Sequence, residues 1–183
     1  NIMAGIIKVN QYQDFNGNTI FTSDGSGNLT TQKTNFPAWF INLSADQTGV
    51  TDNVATKVQF DSVEIDTDNM YNTTNYRITI PSGKAGKYYV QAQVFGDHGT
   101  SSNVDRLLTY LQKNADTFAF AFFDFRSNPI KKATVNCSAI IDCAAGDYLE
   151  VLGFVDSVNN QDCQFKGDTV SRESWFQGYR IGS

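Results

Sequence analysis

Alternation of apolar and polar positions is clearest over residues 86–97, where the pattern predicts a central β-strand. Side chains of a strand point alternately to its two faces. One face is apolar throughout: Tyr88, Val90, Ala92 and Val94. The other face, beyond Lys87, carries aromatic rings and amides: Tyr89, Gln91, Gln93 and Phe95. We expect the first face to lie in the core and the second to pack on another copy of the chain, because an uncharged aromatic surface is typical of an interface.

Similar apolar runs recur at even spacing after Phe36, and turns rich in Gly, Asn, Asp and Pro separate them. The predicted strands are 37–43, 56–60, 76–80, 87–95, 106–113, 117–125, 133–142, 148–155 and 175–181. No segment keeps a helical period, so the sequence predicts an all-β fold of antiparallel strands. The strands at 107–111 and 175–179 are bulky on both sides, and a second protomer is the economical cover for the extra side. The candidate interface residues are Tyr89, Gln91, Gln93, Phe95, Tyr110, Phe176 and Tyr179.

Residues 1–36 differ from the rest, since they are rich in Asn, Gln, Gly, Ser and Thr and contain two short apolar runs at 6–9 and 19–22. Turn signals at 16–18 and 24–28 indicate small hairpins or an extended arm. Two interpretations stay open, a flexible linker and an arm that docks on a partner or on its own trimer. The candidate attachment residues are Ile6, Ile7, Val9, Ile20 and Phe21.

The composition of the chain argues against several classes of function. The 183 residues suit one domain with a tail, and the 14 Phe and 8 Tyr favour strands. A net charge of −5 without a basic cluster argues against nucleic acid as a partner. No apolar run is long enough for a membrane helix, and residues 1–11 lack the features of a signal peptide, so we expect no membrane insertion.

The three cysteines cannot all pair within one chain. Cys137 and Cys143 share a face with apolar neighbours, so we expect both in the core. A disulfide between Cys143 and Cys163 is an alternative. Zinc would need a fourth ligand that the single histidine, His98, is badly spaced to supply.

Candidate catalytic groups are few. His98 lies in a polar turn, where we expect a solvated side chain with no role in a Ser-His-Asp site. The carboxylates between Asp61 and Asp68 crowd into one loop, whereas catalytic pairs face each other across a cleft. An EF-hand starting at Asp66 fails, since Tyr71 and Arg77 stand where Gly and Glu are needed. We therefore expect no enzymatic activity and no cofactor beyond a loosely bound calcium ion.

The aromatic run at 118–125 is the most unusual local feature. Phe118, Phe120 and Phe122 fall on one face, and Phe123 and Phe125 fall on the other. Core and trimer packing is one explanation. A platform on which a ligand such as a sugar stacks, formed by Phe118, Phe120 and Phe122, is the other.

Eight short segments follow one another in a distinctive order. They are 37–40 (Pro-Ala-Trp-Phe), 56–61 (Thr-Lys-Val-Gln-Phe-Asp), 76–81 (Tyr-Arg-Ile-Thr-Ile-Pro), 86–90 (Gly-Lys-Tyr-Tyr-Val), 111–114 (Leu-Gln-Lys-Asn), 138–141 (Ser-Ala-Ile-Ile), 145–151 (Ala-Gly-Asp-Tyr-Leu-Glu-Val) and 175–179 (Trp-Phe-Gln-Gly-Tyr). This ordered set resembles the globular head domain of complement component 1q, a relative of the tumour necrosis factor fold, over about residues 37–181. The resemblance implies a jelly-roll β-sandwich of about ten strands that assembles as a homotrimer. It also implies a binding or display role without catalysis.

The run from Phe60-Asp61 to Asp66-Thr67-Asp68-Asn69-Met70-Tyr71 precedes the Tyr-containing strand, and a short polar arm precedes the head. In these two features the chain resembles the domains of this family that occur in bacteriophage virion proteins. The resulting expectation is a trimer on the virion surface, either a capsid decoration or a short head fibre. Residues 1–36 would form the arm for trimerisation or virion attachment and residues 37–183 the head, with host-surface glycan as a further partner. The alternatives are a tail fibre that binds a receptor and a secreted lectin-like binding module.

Overall fold

The computed structural model describes residues 9–31 and 36–182, and all regular structure within them is β-structure. The chain consists of two compact units, residues 1–35 and residues 36–183. The first unit holds β1 (Gln11–Gln13), β2 (Thr19–Ser23) and β3 (Leu29–Thr31). The second holds β4 (Ala38–Asn42), β5 (Gln47–Val50), β6 (Thr56–Lys57), β7 (Ser62–Asp66), β8 (Tyr71–Asn72), β9 (Arg77–Thr79), β10 (Gly86–Asp97), β11 (Val104–Lys113), β12 (Asp116–Asp124), β13 (Lys132–Cys143), β14 (Tyr148–Ser157), β15 (Cys163–Phe165) and β16 (Trp175–Gly182).

Two antiparallel sheets build the second unit. The front sheet has the order β5-β15-β10-β16-β4-β7, and β13 pairs with the other side of β10. The back sheet has the order β12-β11-β14-β9-β8, with β6 paired to β14. Apolar side chains of both sheets meet in one buried core. The all-β, antiparallel fold predicted from the sequence is confirmed.

The central position of β10 is also confirmed. β10 pairs with β13 over its whole length and with β16 on its other side, so both of its edges are hydrogen bonded. Tyr88, Val90, Ala92 and Val94 are at most 3 % exposed, as their alternation predicts. The residues that alternate with these four along the strand therefore face away from the core.

The nine predicted strands are present, and eight of them end within two residues of the prediction. The exception is 56–60, because only Thr56–Lys57 pairs as a strand. The prediction missed four strands of two to five residues in the head, β5, β7, β8 and β15. β5, β8 and β15 are too short to show an alternating pattern, whereas β7 (Ser-Val-Glu-Ile-Asp) does alternate and was overlooked in a stretch interpreted as an acidic loop. All four pair at the margins of the two sheets.

The structure contradicts the prediction that Phe176 lies at a trimer interface. Its side chain is 1 % exposed, and its ring lies 5.5 Å from that of Trp39 and 6.2 Å from that of Phe60. Phe176 therefore belongs to the core, and its assignment to a trimer interface is wrong. The residues beside it, Trp175 and Gln177, take the outward positions of β16. Because the run 175–179 is bulky on both sides, the sequence does not show which side faces inward.

All three cysteines are free and buried. The predicted core positions of Cys137 and Cys143 are confirmed. Cys143 lies opposite Gly86 at one end of β10, whereas β15, which begins at Cys163, pairs with Gly96 and Asp97 at the other end. These ends are about 33 Å apart along the strand, so the alternative of a Cys143–Cys163 disulfide is excluded. Burial raises the pKa of the Cys143 and Cys163 thiols to about 11.

His98 also differs from expectation. The prediction of a solvated side chain is wrong, because the residue is only 9 % exposed. Its Nε2 lies 3.0 Å from Oδ1 of Asn159, and its backbone N–H donates to the carbonyl of Lys131. The loop after β14 thus covers the histidine, a contact between distant parts of the chain that the local sequence does not reveal.

Candidate functional site

The outward face of the front sheet carries most of the predicted interface residues. Tyr89, Gln91, Gln93 and Phe95 alternate with the buried residues of β10 and are half-buried within one chain. Tyr179 on β16 lies beside Tyr89, with ring centroids 5.6 Å apart. We call this surface the front face. The structure brings these five residues together on one surface.

Neighbouring strands extend the front face. Gln177 donates through Nε2 to Oε1 of Gln91 at 3.0 Å, which joins the two side-chain amides across β16 and β10. The residues that sequence analysis missed here are Phe40, Ile65, Ile140, Trp175 and Gln177. Ile140 was within reach of the prediction, because Cys137 and Cys143 were placed on the core side of its strand. Ile65 was not, because its strand was not predicted.

Charged side chains on β10 and β13 stand at the borders of this face. Lys87 and Asp142 pair at one end of the two strands, and Lys132 lies at the other, with Nζ 5.2 Å from the centre of the Phe95 ring. Between these ends the outward positions hold rings, amides, small polar groups and Ile140, which is 58 % exposed. The centre of the face is therefore uncharged and its rim is polar, the distribution found in protein interfaces.

The predicted aromatic platform lies on the outward face of the back sheet, which we call the back face. Phe118, Phe120 and Phe122 are 49 %, 61 % and 46 % exposed, so core packing does not explain them. Ala119 and Ala121 alternate with them and pack against the core. Tyr110 joins the row, because its ring lies 6.0 Å from that of Phe120. Tyr110 and Tyr89 therefore face away from opposite sheets and cannot share one surface.

Aliphatic and aromatic neighbours complete the back face. Leu108 lies between Phe122 and Phe154, and Leu152 lies beside Tyr110. Ion pairs border this apolar area on both sides: Arg106 with Asp156, and Lys57 with Glu150. The guanidinium of Arg106 also lies over the Phe154 ring at 5.5 Å. The arrangement is a flat apolar strip with polar groups within reach of a bound molecule.

One carboxyl group near the back face, that of Asp105, has a raised pKa. Burial, and after it the negative charge of the neighbouring Asp156 carboxylate, raise the pKa of Asp105 above its ordinary value of 3.8. Arg106 opposes this shift through its positive charge. Across residues 9–31 and 36–182, no three acidic, cysteine or histidine side chains are grouped as metal ligands.

The structure describes three of the five predicted attachment residues. Ile6 and Ile7 lie outside the described residues. Val9 and Ile20 are 48 % and 44 % exposed, and Phe21 is half-buried beneath the ring of Tyr12. The part of the chain that the structure describes has no helix with the length and apolar character needed to cross a membrane.

No protein-family model matches the chain, and no curated protein matches it. Solved structures do share its fold. The globular domain of zebrafish complement 1qA protein matches with a TM-score of 0.54 and 15 % identity, covering 79 % of this chain and 96 % of that one. The Eiger TNF of S. frugiperda matches with a TM-score of 0.58 and 14 % identity over 81 % of this chain and 94 % of that one. Murine APRIL matches with a TM-score of 0.55 and 9 % identity over 80 % and 99 %. The predicted jelly-roll of the complement component 1q and tumour necrosis factor type is confirmed as the fold.

Proposed function

We propose that the chain is a non-enzymatic structural protein of a bacteriophage virion, displayed as a homotrimer on the particle surface as a capsid decoration or short head fibre. The arm, residues 1–36, attaches it, and the head binds host-surface glycan. The single observation that carries the proposal is the uncharged front face of aromatic rings and amides. A monomer would leave this face in water, whereas a trimer covers it.

The size of the front face supports self-association. Strands lie about 4.8 Å apart and outward residues about 6.7 Å apart along each strand, so five strands with three outward positions cover on the order of 400 Å². A standard interface buries about 800 Å² per partner. The front face is thus large enough for the centre of an interface, with strand edges supplying the remainder. A threefold assembly is heterologous, so the front face of one copy meets a different surface of the next.

Display at three copies makes weak binding sites effective. Tethered copies rebind at a high effective concentration, so three weak contacts act as one firm attachment. The back face is the proposed ligand site in each copy, since sugar rings stack on exposed aromatic side chains and take hydrogen bonds from polar groups beside them. Virion attachment and the bacteriophage setting rest on the sequence resemblance and on the polar arm that precedes the head.

Analysis of purified phage particles tests the proposed location on the virion. Purified phage particles should contain the chain at a fixed copy number that is a multiple of three, and labelled antibody should mark the capsid in electron micrographs. Labelling of the tail would replace this proposal with the tail-fibre alternative. Recovery from culture supernatant without particles would replace it with the secreted lectin-like module.

The glycan site is tested by a matched pair of substitutions. Phe122 and Phe123 are neighbours with nearly equal exposure, 46 % and 47 %, but they point to opposite sides of β12. Phe122→Ala should lower binding to host cells at least tenfold while the protein stays trimeric, and Phe123→Ala should leave binding unchanged. Equal binding by both variants, or loss of the trimer in Phe122→Ala, would show that the back face is not a ligand site.

A further inference from the structure

The charged groups at the borders of the back face limit which glycans this site can accept. The apolar centre of the face crosses β12, β11 and β14, a width of about 10 Å. Its two rows are Phe122, Leu108 and Phe154, and Phe120, Tyr110 and Leu152. Stacking on these side chains needs only the apolar side of a sugar ring, so stacking does not distinguish neutral from acidic sugars. That distinction depends on the charged residues beside the rows.

At one end of the rows, Arg106 is held by the protein itself. Its Nε donates to Oδ2 of Asp156 at 2.7 Å, and its Nη2 donates to the same carboxylate and to Oδ1 of Asn53 at 3.2 Å. Asp156 is only 7 % exposed. An acidic sugar that took these donors would leave Asp156 buried without its partner, which is unfavourable.

Lys57, at the other end of the rows, is held in the same way. Its Nζ pairs with the Glu150 carboxylate and also donates to the carbonyl of Asn75 at 3.3 Å. Glu150 is 5 % exposed, so this carboxylate also depends on its cation.

A third ion pair, Arg126 with Asp124, stands beside Arg106, because Asp124 lies opposite Arg106 across β12 and β11. Nε of Arg126 donates to Oδ1 of Asp124 at 3.0 Å. Hydrogen bonds from Arg126 lower the pKa of Asp124 to about 2, so this carboxylate is charged at neutral pH. The three pairs together carry no net charge, and their fields largely cancel at a bound anion.

Hydrogen-bond donors nevertheless remain for a ligand. Nη1 of Arg106 makes no hydrogen bond within residues 9–31 and 36–182, and the Arg106 side chain is partly exposed. The guanidinium lies over the Phe154 ring at 5.5 Å, which places these donors at the edge of the apolar rows. A neutral hydroxyl oxygen accepts such a hydrogen bond without displacing Asp156.

We propose that the back face selects neutral glycans, that is, hexose chains without carboxylate, sulfate or phosphate groups. The sugar rings stack on the aromatic rows, and their hydroxyl oxygens accept hydrogen bonds from Arg106 and Lys57. The inference rests on the proposed function, because it names the ligand class of the site proposed there. An acidic glycan binds more weakly, since its charge loses hydration beside the apolar rows and finds each of these cations already paired.

The test compares matched oligosaccharides by titration calorimetry with the full chain. The probes are hexasaccharides of glucose, galactose and mannose, each in its neutral form and with its C6 hydroxyls oxidised to carboxylates. A neutral form should bind at least tenfold more tightly than its oxidised counterpart, and its affinity should change less than about twofold between about 0.05 and 0.5 M salt. Equal or tighter binding of the oxidised forms, or no binding of any neutral form, would overturn the inference.

A charge substitution tests the role of the ion pairs. Asp124→Asn leaves Arg126 unpaired beside the rows, and Asp124 is exposed, so the fold should be kept. This variant should shift the affinity ratio at least threefold towards the oxidised form. Asp46→Asn changes the net charge equally but frees Lys166, which follows β15 of the front sheet, and should leave the ratio unchanged. The same ratio in both variants would contradict the charge argument.

Phe122→Ala distinguishes a failure of this inference from a failure of the proposed function. Equal binding of neutral and oxidised forms, with both lost in Phe122→Ala, would refute the inference and leave the back face as the glycan site. Native-like binding of the probes by Phe122→Ala would instead refute the back face as the glycan site of the proposed function.

Discussion

Replacing Tyr89 with glutamate tests the proposed trimer most directly. The Tyr89 ring lies on the front face, beside Tyr179 and opposite Ile140. In a trimer this position is covered, so Tyr89→Glu would bury a carboxylate without a partner. Removing one partner of a buried charge pair costs about 3–5 kcal/mol, and we take about 3 kcal/mol per copy for this singly charged site.

The effect on assembly follows from that figure. Three copies lose about 9 kcal/mol together, which is between six and seven powers of ten in the trimer dissociation constant. Because that constant has units of concentration squared, the concentration of half-dissociation rises by its square root, about a thousandfold. Light scattering during dilution should show the mass fall from three times the 20.3 kDa chain mass to a single chain at concentrations where the native protein stays whole.

Two control substitutions distinguish a loss of the interface from a loss of the fold. Tyr89→Phe keeps the ring and should remain trimeric. Tyr110→Glu places the same charge on a half-buried tyrosine of the back face and should also remain trimeric. Circular dichroism should show the β-sandwich intact in all three variants. A trimeric Tyr89→Glu protein, or a monomeric Tyr110→Glu protein, would mean that the faces are assigned wrongly.

Three further predictions concern the fold of each chain. Gly178→Ala should destabilise the head by about 1–3 kcal/mol in denaturant titrations, because the added Cβ meets the Trp39 ring and lies 2.9 Å from the Tyr89 carbonyl oxygen; an unchanged midpoint would contradict the packing. Phe176→Ala should cost about 3–5 kcal/mol as a core truncation, whereas Trp175→Ala, outward on the same strand, should cost less. Burial raises the folded-state pKa of Asp105, so the folded chain holds this proton more tightly than the unfolded chain. Its contribution to stability is full below pH 3.8 and is lost as pH rises through the raised value; Asp105→Asn should flatten that fall in melting temperature, and an equal slope in both proteins would refute the assignment.

Much of the fold is readable from alternation alone, because a period of two is a local property of the chain. Val90 and Ala92 could be placed in the core, and Tyr89 and Gln91 on the outer side, before any pairing was known. The order of short segments along the head was enough to identify the jelly-roll. The sequence by itself therefore determined the fold class, the central strand and the two sides of that strand.

The tertiary structure decided what depends on pairing between distant strands. Only the structure shows that Phe176 lies in the core and that Tyr110 and Tyr89 lie on opposite sheets. It also shows that His98 is covered by a loop more than fifty residues away along the chain. It also brought Ile65 to the front face by pairing β7 with β4, a contact that the acidic stretch around Ile65 does not reveal. A run that is bulky on both sides does not show which side is inward, because that choice depends on the register with neighbouring strands, which the local sequence does not carry.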